Sequence, residues 1–325
     1  MTAARIWAAI DPTIRHDPDD LIDWEAADEA SQRRHGEVAT FWEQATGGVS
    51  YYRAWMPAKH LPGRVVRLQA TRDLYKDSSG VVFRRQVGAS VWPFPGNITR
   101  WLLMAEMHTQ GIPVFAEMDD NYLVPSNTPG SHGWLIRRDP TPQDRPSFEC
   151  HQAIIRSKAV DGLIVSTPKL ADVYARLHAN IHVCRNAVDP DDWAPDPPHQ
   201  QDGILRIGWA GSASHKHDLN DVRPALDWAS RQKDVQVVLF GELDMPGVRH
   251  RNIPWTEQLW KYRWGVRQVD VMLCPLRPSP WADCKSDVKA LEAAMGGACS
   301  VVSRSEPFTP WWRDGAPSYS AATPK

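Results

Sequence analysis

Two lysines, one acid and two glycines fall within a single short stretch, "KSDVKALEAAMGG", residues 285–297. At about 100° per residue, Val288, Leu291, Ala294 and Met295 share an apolar arc, while Lys285, Lys289 and Glu292 line another face. A helix N-terminus carries partial positive charge and prefers acids, yet two lysines four apart stand in its first turns. An exposed Lys289–Glu292 pair, with Asp283 or Asp287 supplying the acid, explains such a helix in isolation. A bound anion explains it as well, and the neighbouring sequence favours the anion. "ILRIGWAGS" reads as a strand running into a small-residue loop at Gly211 and Ser212. Backbone N–H groups of such a loop approach a diphosphate closely, and lysines add point charge. Glu292, farther along the helix, suits the hydroxyls of a ribose. Gly211, Ser212, Lys285, Lys289 and Glu292 are therefore the expected site for a nucleoside diphosphate.

Asp119 and Asp120 are the second candidate pair. They follow the apolar run "IPVFAEM" and so stand at the carboxyl end of a strand. Adjacent side chains in extended chain point opposite ways, so one of the two reaches a substrate and the other holds the loop. A carboxylate there orients an acceptor hydroxyl or stabilises developing oxocarbenium charge. "HKH" at 215–217 offers two histidines without a third ligand and reads as loop, so no metal is expected.

Positioning these groups requires a particular set of elements. The chain has 325 residues, enough for about two domains of roughly 150 residues each. From residue 36 strand-like and helix-like runs alternate: "EVATFWEQ", "YYRAWMPAKHL", "GVVFRRQV", "NITRWLLMAEMHTQG", "IPVFAEMDD", a helix over 144–158, "DGLIVST", "PKLADVYARLH" and "NIHVCRN". "APDPPHQQDG", 194–203, is dense in proline and polar residues and reads as a linker. The alternation then restarts with "ILRIGWAGS", a helix from "DLNDVRPALDWASRQ" with Asp218 as N-cap, "VQVVLFGE", "VRHRNIPW", "EQLWKYRWGVRQ", "VDVMLCPL", the lysine helix and "ACSVVS". This predicts an α/β protein with two Rossmann-like, doubly wound parallel-sheet domains facing a cleft, over 36–193 and 204–325. Residues 1–35 form an N-terminal extension outside the alternation.

The net charge of −2 supplies no global field toward nucleic acid or an anionic membrane, leaving a local basic patch around Arg84, Arg85, Arg137 and Arg138 to consider. Five cysteines without CxxC spacing, two of them in "HVCRN" and "VMLCP" where they suit an apolar core, point to a reducing, cytoplasmic setting. The first residues show no signal or membrane-spanning run.

Six fragments in order, "GVSYYRAWMPAKHL", "VFAEMDDNYLVPSN", "DGLIVSTPKLADVY", "VCRNAVDPDDW", "RIGWAGSASHKHDL" and "VDVMLCPLRPSPWADCKSDVKALEAAMGGACSVVS", resemble glycosyltransferases of the two-Rossmann GT-B architecture, of the retaining group-4 (glycosyl transferases group 1) type, over about 45–318. The resemblance implies a sugar transferase whose second domain binds a UDP- or GDP-sugar. Its Gly211–Ser212 loop touches the diphosphate and Glu292 binds the ribose. Many members carry a second glutamate eight residues earlier; here that position is Cys284. The first domain would hold the acceptor, a protein, lipid-linked sugar, small molecule or modified nucleic acid, with Asp119 and Asp120 where many relatives have a cleft histidine. The nucleotide-sugar is the donor substrate, and no cofactor or metal is implied. Relatives continue into a helical segment that returns to the first domain, whereas this chain stops at "PSYSAATPK". A non-catalytic nucleotide- or sugar-binding module, or an epimerase or phosphorylase of the same fold, are the alternatives.

Overall fold

The computed structural model describes residues 38–43, 48–66, 78–84, 104–124, 152, 155–193, 202–256, 258–313 and 318–321. They build two six-stranded sheets, every strand pair parallel. The first comprises β1 (Val38–Trp42), β2 (Gly63–Val66), β3 (Ser78–Arg84), β4 (Val114–Met118), β5 (Gly162–Val165) and β6 (Ile181–Val183), in the order β2-β1-β3-β4-β5-β6. The second comprises β7 (Leu205–Gly211), β8 (Val235–Gly241), β9 (Arg251–Pro254), β10 (Val271–Cys274), β11 (Cys299–Ser303) and β12 (Ser318–Ala321), in the order β12-β11-β10-β7-β8-β9.

β8 shows why the sheets are covered on both faces. Its apolar run is continuous, so alternate residues supply opposite layers. Val237 and Leu239 pack with Trp209 and with Leu219 and Leu226 of helix α1 (Lys216–Ser230). Val238 and Phe240 pack on the other face with Val266 of α2 (Leu259–Val266) and with Ala290 and Ala293 of α3 (Val288–Met295). The first sheet likewise buries Val81, Phe83, Val114, Ala116, Leu163 and Val165, with Leu170 and Tyr174 from helix α4 (Pro168–Tyr174) against it.

Several expectations need correction. The lysine helix begins at Val288, after Asp287, so Lys285 lies outside it in extended conformation and only Lys289 occupies the first turn. Asp218 is not an N-cap: α1 starts at Lys216 after His215, and Asp218 sits within its first turn. Arg84 contributes no basic patch, because it is buried and pairs with Glu43 at 2.5 Å. Cys274 is buried as expected, but Cys184 is exposed, since the short β6 ends just before it. β2 and β12 were not legible as strands. Residues 1–35, most of 144–158 and of the 194–203 linker, and Arg85, Arg137 and Arg138 lie outside the described residues.

Candidate functional site at the seam of the two sheets

The stretch between β10 and α3 runs against the first sheet. Asn121 Nδ2 donates to the carbonyl of Pro280 at 3.1 Å and lies 3.6 Å from Cys284 Sγ. Thr167 Oγ1, which also caps α4 by accepting from Leu170 N–H, donates to the Cys284 carbonyl at 3.0 Å. Asn186 Nδ2 donates to Ser286 Oγ at 2.8 Å. Cys284 itself joins the buried core of the first sheet, and burial pushes its thiol up to about 11. The position is an apolar seam in which a carboxylate would lose its hydration, a physical reason for a thiol there.

Glu292 is buried on the inward side of α3. Tyr262 of α2 donates to its Oε2 at 2.6 Å, and Tyr52 donates to its Oε1 at 2.5 Å. Tyr52 comes from the first half, on a helical run made of Gly48–Ser50, a π-helical turn over Tyr51–Trp55, and Met56–His60. Burial raises the carboxyl's pKa above the ordinary range while the two hydroxyls and Lys289 oppose the rise.

Lys289 points along α3 toward the end of β7. A side chain at Gly211 would place its Cβ 3.2 Å from Lys289 Nζ and 2.6 Å from the Trp209 ring, so only glycine leaves room here. The ammonium lies 5.4 Å from the Trp209 centroid and forms no ion pair among the described residues. Burial, and then the nearby charge of Lys285, act to lower its pKa. Beside Gly211, Gly241 has φ +138°, and a Cβ there would stand 2.0 Å from the Gly211 carbonyl oxygen. The ends of β7 and β8 thus meet backbone to backbone. Ser212 Oγ bonds Ser214 Oγ at 2.8 Å, and Ala213 N–H donates to Glu242 at 2.8 Å.

Lys285 is engaged elsewhere. Its Nζ pairs with Asp120 Oδ1 at 2.6 Å across the seam and lies 3.9 Å over the Trp281 ring. Asp119 turns the other way and accepts from Tyr122 Oη at 2.7 Å. The two aspartates take different partners, and Asp120 is the one that meets a residue of the second half. Behind them Arg53 donates to Glu117 at 2.6 Å, to the Cys184 carbonyl at 2.6 Å and to Asn186 Oδ1 at 3.0 Å. Burial pushes the Glu117 carboxyl up to about 7, against the pull of Arg53.

His215, read from sequence as loop, lies at this site. Its Nδ1 bonds Asp218 Oδ2 at 2.7 Å and its ring packs near Trp281. Burial, then Lys289, hold its imidazole near 4, so it is neutral at pH 7. Among the described residues no group of three His, Cys, Asp or Glu side chains is placed to hold a metal ion. Sequence reasoning also passed over Tyr52, Arg53 and Tyr262. The first two stand in the quoted fragment "GVSYYRAWMPAKHL", and their partners, Glu292 and Glu117, are 240 and 64 residues away.

No family model matches the chain, and no curated protein matches it. Solved structures do. HepE of Anabaena, solved in complex with UDP and glucose, shares 11% identity at TM-score 0.55, over 89% of this chain and 86% of its own. Sucrose-phosphate synthase from Thermosynechococcus elongatus gives 11% and 0.54 over the same shares. A glycosyltransferase from Rickettsia africae gives 9% and 0.57 over 89% and 85%. The fold is GT-B.

Within this GT-B frame several groups at the seam stand at or beyond the carboxyl ends of strands, where open α/β sheets bind ligands. Asp119 and Asp120 follow β4, Thr167 follows β5 and Asn186 follows β6. Gly211 ends β7, Glu242 follows β8 and Lys285 follows β10.

Proposed function

We propose that this chain is a glycosyltransferase that moves a sugar from a nucleoside-diphosphate sugar, a UDP-sugar first among the candidates, to an acceptor, with retention at the anomeric carbon. The observation that carries this reading is Lys289. Its ammonium lacks an ion-pair partner among the described residues and stands beside Gly211 at a strand end of a GT-B fold. A half-buried cation without an ion pair is poorly compensated, with Asp218 and Glu292 acting on it only at longer range, and an incoming diphosphate supplies the missing charge. In the transition state the departing diphosphate gains charge, so Lys289, Lys285 and the N–H groups of the Gly211–Ser212 loop favour departure more than they favour the ground state. Glu292 receives the ribose hydroxyls after Tyr52 withdraws. Asp120, with Asp119 behind it, faces the reacting sugar from the acceptor side. We further take 36–193 and 204–325 as the acceptor and donor domains, joined by 194–203.

UDP-sugars are supported by the neighbours, among which HepE was solved with UDP-glucose. The test is incubation with a panel of UDP- and GDP-sugars and acceptors, with products identified by mass spectrometry. A transferred sugar supports the reading. Turnover of donor without acceptor to an isomer would mark an epimerase instead. A second reading, a non-catalytic nucleotide-sugar-binding module, is favoured by Cys284, whose burial in the seam leaves no carboxylate at the position of the second family glutamate. Donor binding without transfer or hydrolysis would establish it.

A further inference from the structure

The helical run 48–60 and helix α2 form two lips beside Glu292. Tyr52 and Tyr262 turn inward to the carboxylate, and the Arg263 guanidinium bridges the lips, 4.9 Å over the Tyr51 ring. The outward side carries exposed apolar side chains among basic ones. Ten large hydrophobic side chains are exposed among the described residues, and six belong to these lips or their flanks: Val49, Trp55, Leu61, Trp255, Trp260 and Trp264. Trp260 and Trp264 are one helical turn apart, and Trp260 is 65% exposed. Exposed apolar side chains gathered at one place mark an interaction surface.

Charge identifies the partner. Residues 249–267 hold five basic side chains and one acid within a chain of net −2; Arg263 pairs with Asp192 at 3.2 Å, and Arg251 and Lys261 are the cations set among the indoles. Lys261 lies 5.3 Å over Trp260 and Arg251 5.9 Å over Trp264, so indoles and cations share one surface. Nucleic acid asks for planar stacking faces along a continuous cationic track. Here Val49 and Leu61 are aliphatic, and Lys59 of the first lip is neutralised by Asp189 and Asp192 at 2.5 and 3.2 Å. Indoles, aliphatics and basic residues together fit the headgroup region of an anionic bilayer.

We propose that these lips dock on an anionic membrane surface, with Trp55, Trp255, Trp260 and Trp264 entering the interface, so that the acceptor is a lipid-borne molecule presented at the mouth of the site. Only the acceptor clause rests on the transferase reading; docking does not. The full chain is sedimented with vesicles of phosphatidylcholine alone and of phosphatidylcholine with phosphatidylglycerol, and UDP affinity is measured in parallel. The parent binds the anionic vesicles selectively, more weakly at high salt, with a blue shift of tryptophan emission. The Trp260→Ala/Trp264→Ala variant loses about tenfold in partitioning, and Arg251→Glu/Lys261→Glu loses the preference for anionic lipid, both with UDP affinity retained. No sedimentation of the parent, equal sedimentation of the variants, or capture of single-stranded oligonucleotide in place of vesicles overturns the docking. Vesicle binding without UDP binding leaves docking standing and removes UDP as the donor nucleotide.

Discussion

The hydroxyl of Tyr52 lies 2.5 Å from Glu292 Oε1 and joins the first half of the molecule to the second across 240 residues of sequence. Tyr262 holds the other oxygen at 2.6 Å. Each oxygen could accept a further bond, but Glu292 is buried behind the two rings, so a ribose hydroxyl reaches it most directly by displacing a tyrosine, and Tyr52 is the one whose element belongs to the other sheet. Tyr52→Phe keeps the ring and removes the competing donor, so nucleoside-diphosphate affinity should rise by about threefold to tenfold, the scale of one hydrogen bond. Glu292→Ala should lower it by about 1–3 kcal/mol. Calorimetry reads both. Weaker binding by Tyr52→Phe would make Tyr52 a donor contact rather than a competitor.

Lys289 and Lys285 separate into two roles. Lys289→Ala should weaken nucleoside diphosphate by about 1–3 kcal/mol more than the bare nucleoside, since its ammonium forms no direct ion pair among the described residues. Lys285→Ala should cost less ligand affinity and more folding stability, because it removes the ion pair of the buried Asp120 carboxylate. Urea unfolding beside calorimetry distinguishes the two. Equal losses of diphosphate and nucleoside would take Lys289 out of the phosphate site.

The parallel sheets were legible because their strands are apolar on both faces and separated by helix-length runs, as in "VQVVLFG". β2, four residues long, carries too little pattern, and β12 stands at the edge beyond β11. The cluster of Gly211, Lys289 and Glu292 could be read from spacing on one strand end and one helix. What spacing could not reveal was which groups were already engaged. That Lys285 is tied to Asp120, and Glu292 to Tyr52, depends on how the two halves close on each other. The misplaced start of α3 has a local cause: Ala282–Cys284 forms a separate short turn, after which Lys285 is extended.

His215 gives the site a pH signature. Its imidazole is held near 4 against an ordinary 6.5, by burial first and then by Lys289, outweighing the pull of Asp218. Between those values the folded chain binds fewer protons than the unfolded one, so this contribution is complete above about pH 6.5 and lost as pH falls toward 4. Glu117, raised by burial to about 7, runs oppositely: its contribution is complete below about 4.5 and lost as pH rises through 7. The informative quantity is thus the difference between the parent and His215→Gln, in which Glu117 cancels. Urea unfolding from pH 7 to 4 should show the parent losing up to a few kcal/mol more than the variant. Parallel losses would mean that His215 is not held neutral by the fold.

Asp119 and Asp120 follow β4 and engage different partners. Asp119 accepts from Tyr122, three residues on, which fixes the loop. Asp120 meets Lys285 on the donor side of the seam, and its backbone carbonyl is anchored by Tyr174 at 3.2 Å. A donor diphosphate that draws Lys285 toward itself would release the Asp120 carboxylate into the cleft, facing the sugar. Asp120→Asn should then lower turnover by at least about a hundredfold, the usual scale for a positioned carboxylate, while leaving nucleotide affinity nearly unchanged. Asp119→Asn should lower turnover less and cost mainly stability, by about 1–3 kcal/mol, through the weakened bond to Tyr122. Steady-state rates with saturating donor, set beside unfolding midpoints, separate the two effects. If both variants transfer sugar at the parent rate, the pair is structural, and Glu117, with its carboxyl near 7 and its link to Arg53, becomes the next side chain to replace.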